Sequence, residues 1–451
     1  MTTSATPAAG CPVSMGSDTE AKSEATTTEA RAEATTGTPP GAATISGAVP
    51  LNDPRFQTDP VELYRELRRD HGAVAPILLD GDIPAWLVIG YRELHQVTGD
   101  PALYSRDSVL WNQWDNVPDD WPLLPMIGRG ETSIIHTTNG QHRERAAMIS
   151  DALEAVDPFT LRQHAERLAD ELIDSFCADG RTDIIGRYTM LLPVRVLARL
   201  LGFTDEQGPG LVTALNEMLD GGEDALTGHG HLVEAATALL TEKADGPGAD
   251  VVSRMLANRG DFTVEEITKD LLMIMVAGHQ PTADWIGNTL RLMLTDDRFA
   301  ASLSGGRHSV GEAMTEVLWE DTPTQNVPGR WATRDTNLGN RRIRAGDLLI
   351  LGVAAANFDP QIRTDSSVLT GGNTAFFSFG HGEHRCPFPA QEIAEVIART
   401  GIEVLLDRLP DIDLAVPGEA LAQRPSPWLR GLTSLPVIFS PAPALSPARR
   451  P

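Results

Sequence analysis

Apolar residues recur every three to four positions through most of this chain, and give way to alternation only near the start and again late on. In DPRFQTDPVELYRELRRDHG a turn-like opening precedes Leu63, Tyr64 and Leu67 at helical spacing. Two β-rich runs follow in AVAPILLDGDIPAWLVIG, with Asp80-Gly81 between them as a strong hairpin-turn signal, and the second run leads into a helix, YRELHQVTGD. From about Asp157 to Leu294 helical periodicity dominates, including LRQHAERLADELIDSFCADG and VEEITKDLLMIMVAGHQPTADWIGNTLRLML. After Gly329 the pattern changes. RWATRDTNLGNRRIRAGDLLILGVAAANFDP alternates short apolar runs with Gly, Asn and Asp turns, which predicts a small sheet. The expected fold class is therefore mainly α with small β-sheets (α+β).

Composition narrows the classes. Residues 1 to about 47 are Ala, Thr, Ser, Glu and Gly with almost no large apolar side chains, so they are expected to be a disordered tail; residues 441–451 are expected to be a flexible C-terminal one. A net charge of -25 disfavours nucleic acid, because an acidic surface repels phosphate. The three cysteines, Cys11, Cys177 and Cys386, show no paired spacing, which argues for a reducing, cytoplasmic compartment. No apolar run approaches the roughly 18 residues needed to span a bilayer, and no signal pattern opens the chain, so no membrane anchoring is expected. Lys22, Lys243 and Lys269 are the only lysines, a bias toward arginine that points to a GC-rich bacterial genome.

The densest chemistry lies in FSFGHGEHRC, Phe377 to Cys386, directly ahead of the helical run AQEIAEVIARTGIEVLLDRL. Cys386 would sit at a helix N-terminus, where partial positive charge stabilises a thiolate and lowers its pKa. Gly380 and Gly382 allow a tight loop whose backbone approaches a flat ligand, and His384 and Arg385 can meet that ligand's acidic groups. Taken alone, such a cysteine could also be an inert buried thiol. With His381 and His384 it could bind zinc, although a fourth ligand is missing.

The segment resembles the haem-binding loop of the cytochrome P450 superfamily, and the likeness extends over roughly residues 48 to 440. It implies a single large P450 domain, haem b as cofactor, Cys386 as the thiolate ligand of its iron, Phe379 and Gly380 beside the haem, and His384 at a propionate. By the same resemblance His142 and Arg330 would hold propionates. Ala146 stands where an arginine is expected, which leaves Arg145 as a stand-in. The helix opposite the cysteine would carry Ala277-Gly278-His279-Gln280-Pro281-Thr282, in which Gln280 and Pro281 replace the usual acid and alcohol of the proton relay. Pro281 cannot return an N–H to the Ala277 carbonyl, so a kink and a water at that carbonyl are expected, with Thr282 or His279 assisting.

Two further departures stand out. The usual Glu-x-x-Arg reads Glu316-Val317-Leu318-Trp319, so a buried Glu316 needs another cation, and Arg363 is the expected substitute. Pro387-Phe388-Pro389 removes N–H groups near the sulfur, which would leave a thiolate more electron-rich. Trp111, Trp114 and Trp121 fall where relatives fold a loop over substrate, and so suggest an apolar pocket wall. The implied activity is a bacterial haem-thiolate monooxygenase acting on a small apolar molecule. Electrons would come from a ferredoxin and its reductase docking near Arg143, Arg145 and Arg385. Oxidative coupling, peroxide-driven oxidation, or a haem-binding regulator without turnover are the alternatives that the altered relay leaves open.

Overall fold

A computed structural model describes residues 47–220, 225–296, 298–299, 309–362 and 373–445. Arg363, residues 446–451 and nearly all of the expected N-terminal tail lie outside these. The first strand, β1 (Val49–Pro50), leads to helix α1 (Pro60–His71). The Asp59 side chain accepts the Glu62 N–H, and Pro60 takes a first-turn position where its missing N–H costs nothing. Leu63, Tyr64 and Leu67 are buried on its inner face, as their spacing predicts. The hairpin also forms as expected. β2 (Val74–Leu79) pairs antiparallel with β3 (Ile83–Val88), across a turn in which Gly81 (φ 76°) and Asp82 (φ 59°) are left-handed, and helix α2 (Tyr91–Gly99) follows.

The late strands do not stay apart from this hairpin. β3 pairs in parallel with β9 (Leu348–Leu351), and β6 (Val327–Ala332) and β4 (Tyr104–Ser105) complete one six-stranded sheet in the order β1-β2-β3-β9-β6-β4. A register shift between Val327 and Arg330 interrupts β6 and re-aims the side chains there. Smaller sheets join β10 (Asp413–Leu414), β11 (Pro436–Ile438) and β5 (Arg181–Asp183), and pair β7 (Thr336–Leu338) with β8 (Arg341–Ile343). Past β11 the Ala442 N–H still donates to the Cys177 carbonyl at 2.8 Å.

Helices form the rest: α3 (Asn139–Glu154), α4 (Pro158–Asp174), α5 (Leu192–Leu201), α6 (Gly208–Asp220), α7 (Ala225–Asp245), α8 (Val251–Ala257), α9 (Val264–Thr295), α10 (Val310–Glu320) and α11 (Phe388–Arg408). The 32-residue α9 packs against α5, α7, α10 and α11, which makes it the spine of the main core. Thr263 and Glu266 close a capping box at its start. Its helical state runs unbroken through Pro281, so the proline removes one hydrogen bond without ending the element. Among the described residues, no helix is long and apolar enough to cross a membrane.

Candidate active site

The cysteine loop is folded by its own backbone. The Gly380 N–H donates to the Phe377 carbonyl at 2.7 Å and the Cys386 N–H to the Phe379 carbonyl at 2.8 Å, both within a turn that Gly380 (φ 73°) and Gly382 (φ 74°) make possible. Gly382 also presses on the last turn of α2, where a Cβ would collide with the Thr98 carbonyl oxygen. His381 is held there too, with Nδ1 2.9 Å from Thr98 Oγ1. Cys386 thus precedes α11 as the sequence predicts, but its thiol does not titrate as expected. Burial pushes it up to about 11, against the smaller opposing effect of Arg385. Pro387 and Pro389 deprive the first turn of the N–H groups that would have stabilised the anion.

The thiol opens on a cavity of about 360 Å³, walled by Phe379 and α11 on its own side and by Ala277, Gly278, Pro281 and Thr282 of α9. Phe379 meets Trp285 of α9 edge-on, with ring centroids 5.7 Å apart. A Cβ at Gly278 would press on Leu197 of α5 at 3.0 Å, so glycine permits this close helix packing. Thr282 Oγ1 donates to the Gly278 carbonyl at 2.7 Å. His279 and Gln280 do not face the cavity. Both are buried on the other side of the helix, His279 with Nε2 2.8 Å from the Met190 carbonyl and Gln280 donating to Asp284 at 3.0 Å. The expected part for His279 in the relay is therefore withdrawn, and burial lowers its pKa further.

One end of the cavity is lined with nitrogen. Arg330 and His142, which the resemblance places at propionates, line it together with His384, whose ring lies 3.8 Å from that of His142. Burial, then the charge of Arg106 and the nearby His142, drive the His384 pKa down to about 2. His142 Nδ1 lies 3.0 Å from the Ile134 carbonyl and its Nε2 3.1 Å from the Glu383 carbonyl. Arg145 does not take the position at a propionate that the resemblance suggested. Its fully buried guanidinium turns away to Asp270 (2.6 Å) and Glu266 (2.8 Å) on α9, so it can neither line the cavity nor meet a docking partner. Arg106, just past β4, lines it in addition to Arg330. It is buried, donates to the Pro328 carbonyl at 2.7 Å, and has its Nε unpaired, so that burial lowers its pKa to about 10. Nothing local in YSRDS marks it; only the pairing of β4 with β6 brings it beside Arg330.

No family model matches the chain. Individual proteins do. It is 26% identical over 389 residues to the vitamin D3 dihydroxylase of Streptomyces griseolus, covering 83% of this chain and 93% of that one. It is 27% identical over 396 residues to the cytochrome P450 monooxygenase PikC of Streptomyces venezuelae, covering 85% and 91%. The testosterone-bound structure of CYP154C4 from a Streptomyces species matches with a TM-score of 0.78 at 25% identity, covering 87% and 98%. The chain belongs to the cytochrome P450 superfamily. It is a haem-dependent monooxygenase, an oxidoreductase, as these relatives are.

The residues present in this P450 fit haem. A thiol faces small residues across a mostly apolar space, and two polar atoms at its cationic end, Arg106 Nε and His384 Nδ1, are buried without partners, as acidic groups of a ligand would require. The zinc alternative finds no support, since among the described residues no three His, Cys, Asp or Glu side chains converge as a metal site.

Trp319, Glu316, Trp111, Trp114 and Trp121 do not line the cavity. Trp319 is fully buried and donates to the Asn373 carbonyl at 3.0 Å, in the stretch that leads into the cysteine loop. Among the described residues, Arg298 feels the charges of Glu316 and Glu320, although its pKa is raised first by its hydrogen bond to Asp296; Arg363, the expected partner of Glu316, lies outside those residues. Trp111, Trp114 and Trp121 do not wall the cavity. They stack on one another, with Trp111 at 4.8 Å from Trp114 and 5.8 Å from Trp121, and pack against the apolar cluster beside the six-stranded sheet. Indole N–H bonds to Ser108 and Asp80 carbonyls fix two of them there, so they anchor the loop from within.

Proposed function

We propose that this P450 oxygenates a small apolar organic molecule in the cytoplasm, with electrons delivered by a ferredoxin and its reductase. The observation that carries the reading is the Cys386 thiol facing Ala277 and Gly278 across an apolar cavity with a cationic end. In this reading Cys386 would bind the haem iron, Phe379 and Gly380 would lie against the haem, and Arg330, His142, His384 and Arg106 would take its propionates. When bound, the haem supplies oxygen activation, assisted by electron donation from the thiolate. The chain's own part is to enclose and orient. Ile274, Pro281 and Val327 line the cavity with apolar surface that excludes water, and Ala277 and Gly278 leave room above the thiol. Relatives named for vitamin D3 and a neighbour holding testosterone support an apolar substrate skeleton.

The electron donor is proposed on the cysteine side. Phe388 is exposed there between two prolines, Arg385 is exposed three residues before it, and exposed Arg143 lies 3.3 Å from Glu383 of the same loop, so basic and aromatic groups gather on an otherwise acidic protein. The test is turnover of the holoenzyme with a surrogate ferredoxin system and apolar polycyclic substrates under isotopically labelled dioxygen. The expected result is a product carrying one labelled oxygen atom. Label found only in water or hydrogen peroxide, with every substrate tried and with coupled electron consumption, would refute the reading.

A further inference from the structure

Two apolar cores meet behind one wall of the cavity, and the seam between them is polar. One core holds α9 and α10, and the other holds the six-stranded sheet together with Trp428. Between them the segment 322–326 runs beside residues 427–430. The Arg430 N–H donates to the Pro323 carbonyl at 2.8 Å, and the Gln325 and Asn326 N–H groups share the Trp428 carbonyl at 2.9 and 3.1 Å. Asn288 of α9 joins both segments, its amide donating at 3.0 Å to the Asp321 carbonyl and at 3.0 Å to the Arg430 carbonyl. Pro323, Thr324 and Val327 line the cavity. Thr322, Gln325, Asn326 and Asn288 do not, so their side chains belong to the seam behind it.

The backbone of this seam is paired, but its side chains are not. Gln325 is fully buried, and neither its Oε1 nor its Nε2 has a partner. Asn288 Oδ1, Asn326 Oδ1 and Thr322 Oγ1 are buried and unpartnered in the same seam. The Tyr64 hydroxyl of α1 is a further such group, and it feels the charge of Arg430. A buried polar group left unpaired is costly, and a run of them along one segment calls for a shared partner. The charges alongside are Asp321 and its two arginines, Arg291 and Arg430, a net positive set that disfavours a cation. Three amide oxygens that can only accept disfavour an anion. What suits a neutral set of donors and acceptors is water, which gives and takes hydrogen bonds and needs roughly two to four partners when buried.

We propose that this seam is a hydration site, in which ordered water, on the order of two molecules, bridges Gln325 to Asn288, Asn326 and Thr322 and so holds the cavity wall in place. Gln325 is then a positioning residue. It touches nothing in the cavity, yet through water it fixes the segment whose other residues, Thr324 and Val327, face inward. The wall is backed by hydrogen bonds to water instead of by apolar packing, which makes its position sensitive to a change that removes no cavity-lining atom.

The inference goes beyond the monooxygenase reading and does not depend on it, since it is tested without turnover. Crystals of the holoenzyme, some grown in rubidium salts, are compared for wild type, Gln325→Met and Thr322→Val, and long-lived internal waters are counted in solution by oxygen-17 relaxation dispersion. Wild type is expected to show ordered water within hydrogen-bond distance of Gln325. Gln325→Met should lose at least one long-lived water and displace Thr324 and Val327, while Thr322→Val should lose water with a smaller displacement. Wild type with no ordered water beside Gln325 would overturn the proposal, as would an anomalous rubidium peak there, which would make the site a cation site. Gln325→Met with the same water count and an unmoved wall would overturn the positioning role. Should Gln325→Met fail to fold, wild type and Thr322→Val decide in the same way.

Discussion

Gly380 and Gly382 look equivalent in the sequence, and both adopt a left-handed backbone, but only one of them is pinned from outside the loop. At Gly380 the nearest atom to an added Cβ is 3.4 Å away, an ordinary contact, whereas at Gly382 the Thr98 carbonyl blocks it. Gly380→Ala should therefore cost about 1 kcal/mol, from backbone conformation alone. Gly382→Ala should cost roughly 1–3 kcal/mol more, because α2 must shift, and should lose haem faster. Denaturant midpoints and haem-transfer rates of the two variants check this; equal effects would show that α2 does not buttress the loop. Residues of this loop were legible because they are contiguous, and their spacing alone carries the motif. Arg106 and Arg145 were not. Both are arginines near polar neighbours, and only the fold decides that one faces the cavity while the other faces Asp270.

Between elements, Arg145 is the bolt that joins α3 to α9. Asp270 is fully buried, and its second oxygen accepts the Ile134 N–H at 2.7 Å, so the same carboxylate also fixes the segment that lines the cavity beside His142. Burial raises the Asp270 pKa and Arg145 opposes it. A carboxyl whose folded pKa is raised destabilises the fold as pH rises through that pKa. Removing its cation raises it further. Arg145→Met should thus cost on the order of 3–5 kcal/mol where Asp270 is ionised, and the deficit should narrow as pH falls through the raised Asp270 value. Unfolding curves of variant and wild type across pH measure this; a deficit that is flat or grows on acidification would contradict it. The extents of α1, α2, α9 and the hairpin followed from periodicity and turn residues. The partners of the hairpin did not, because β3 meets β9 through backbone pairing that leaves no mark in either segment.

For the whole molecule, about a quarter of positions are shared with relatives, yet the fold is kept, with a TM-score of 0.78 to a solved P450. This fold puts a thiol opposite small residues of a long helix. Two supports differ from what the resemblance implied: Trp319 donates to the Asn373 carbonyl where an arginine was expected, and Arg106 lines the cavity while Ala146 stands at an expected arginine position. These substitutions were visible in the sequence as departures, but their replacements are far apart in the chain and could only be found in the folded state. The central claim is that Cys386 binds the iron of this fold as a thiolate. The absorption spectrum of the reduced, carbon monoxide-bound protein tests it most directly. A strongly red-shifted Soret band in wild type, lost in Cys386→Ser at retained haem content, is the expected result. A band at the position of a histidine-ligated haem in wild type, or a red shift that survives Cys386→Ser, would contradict it.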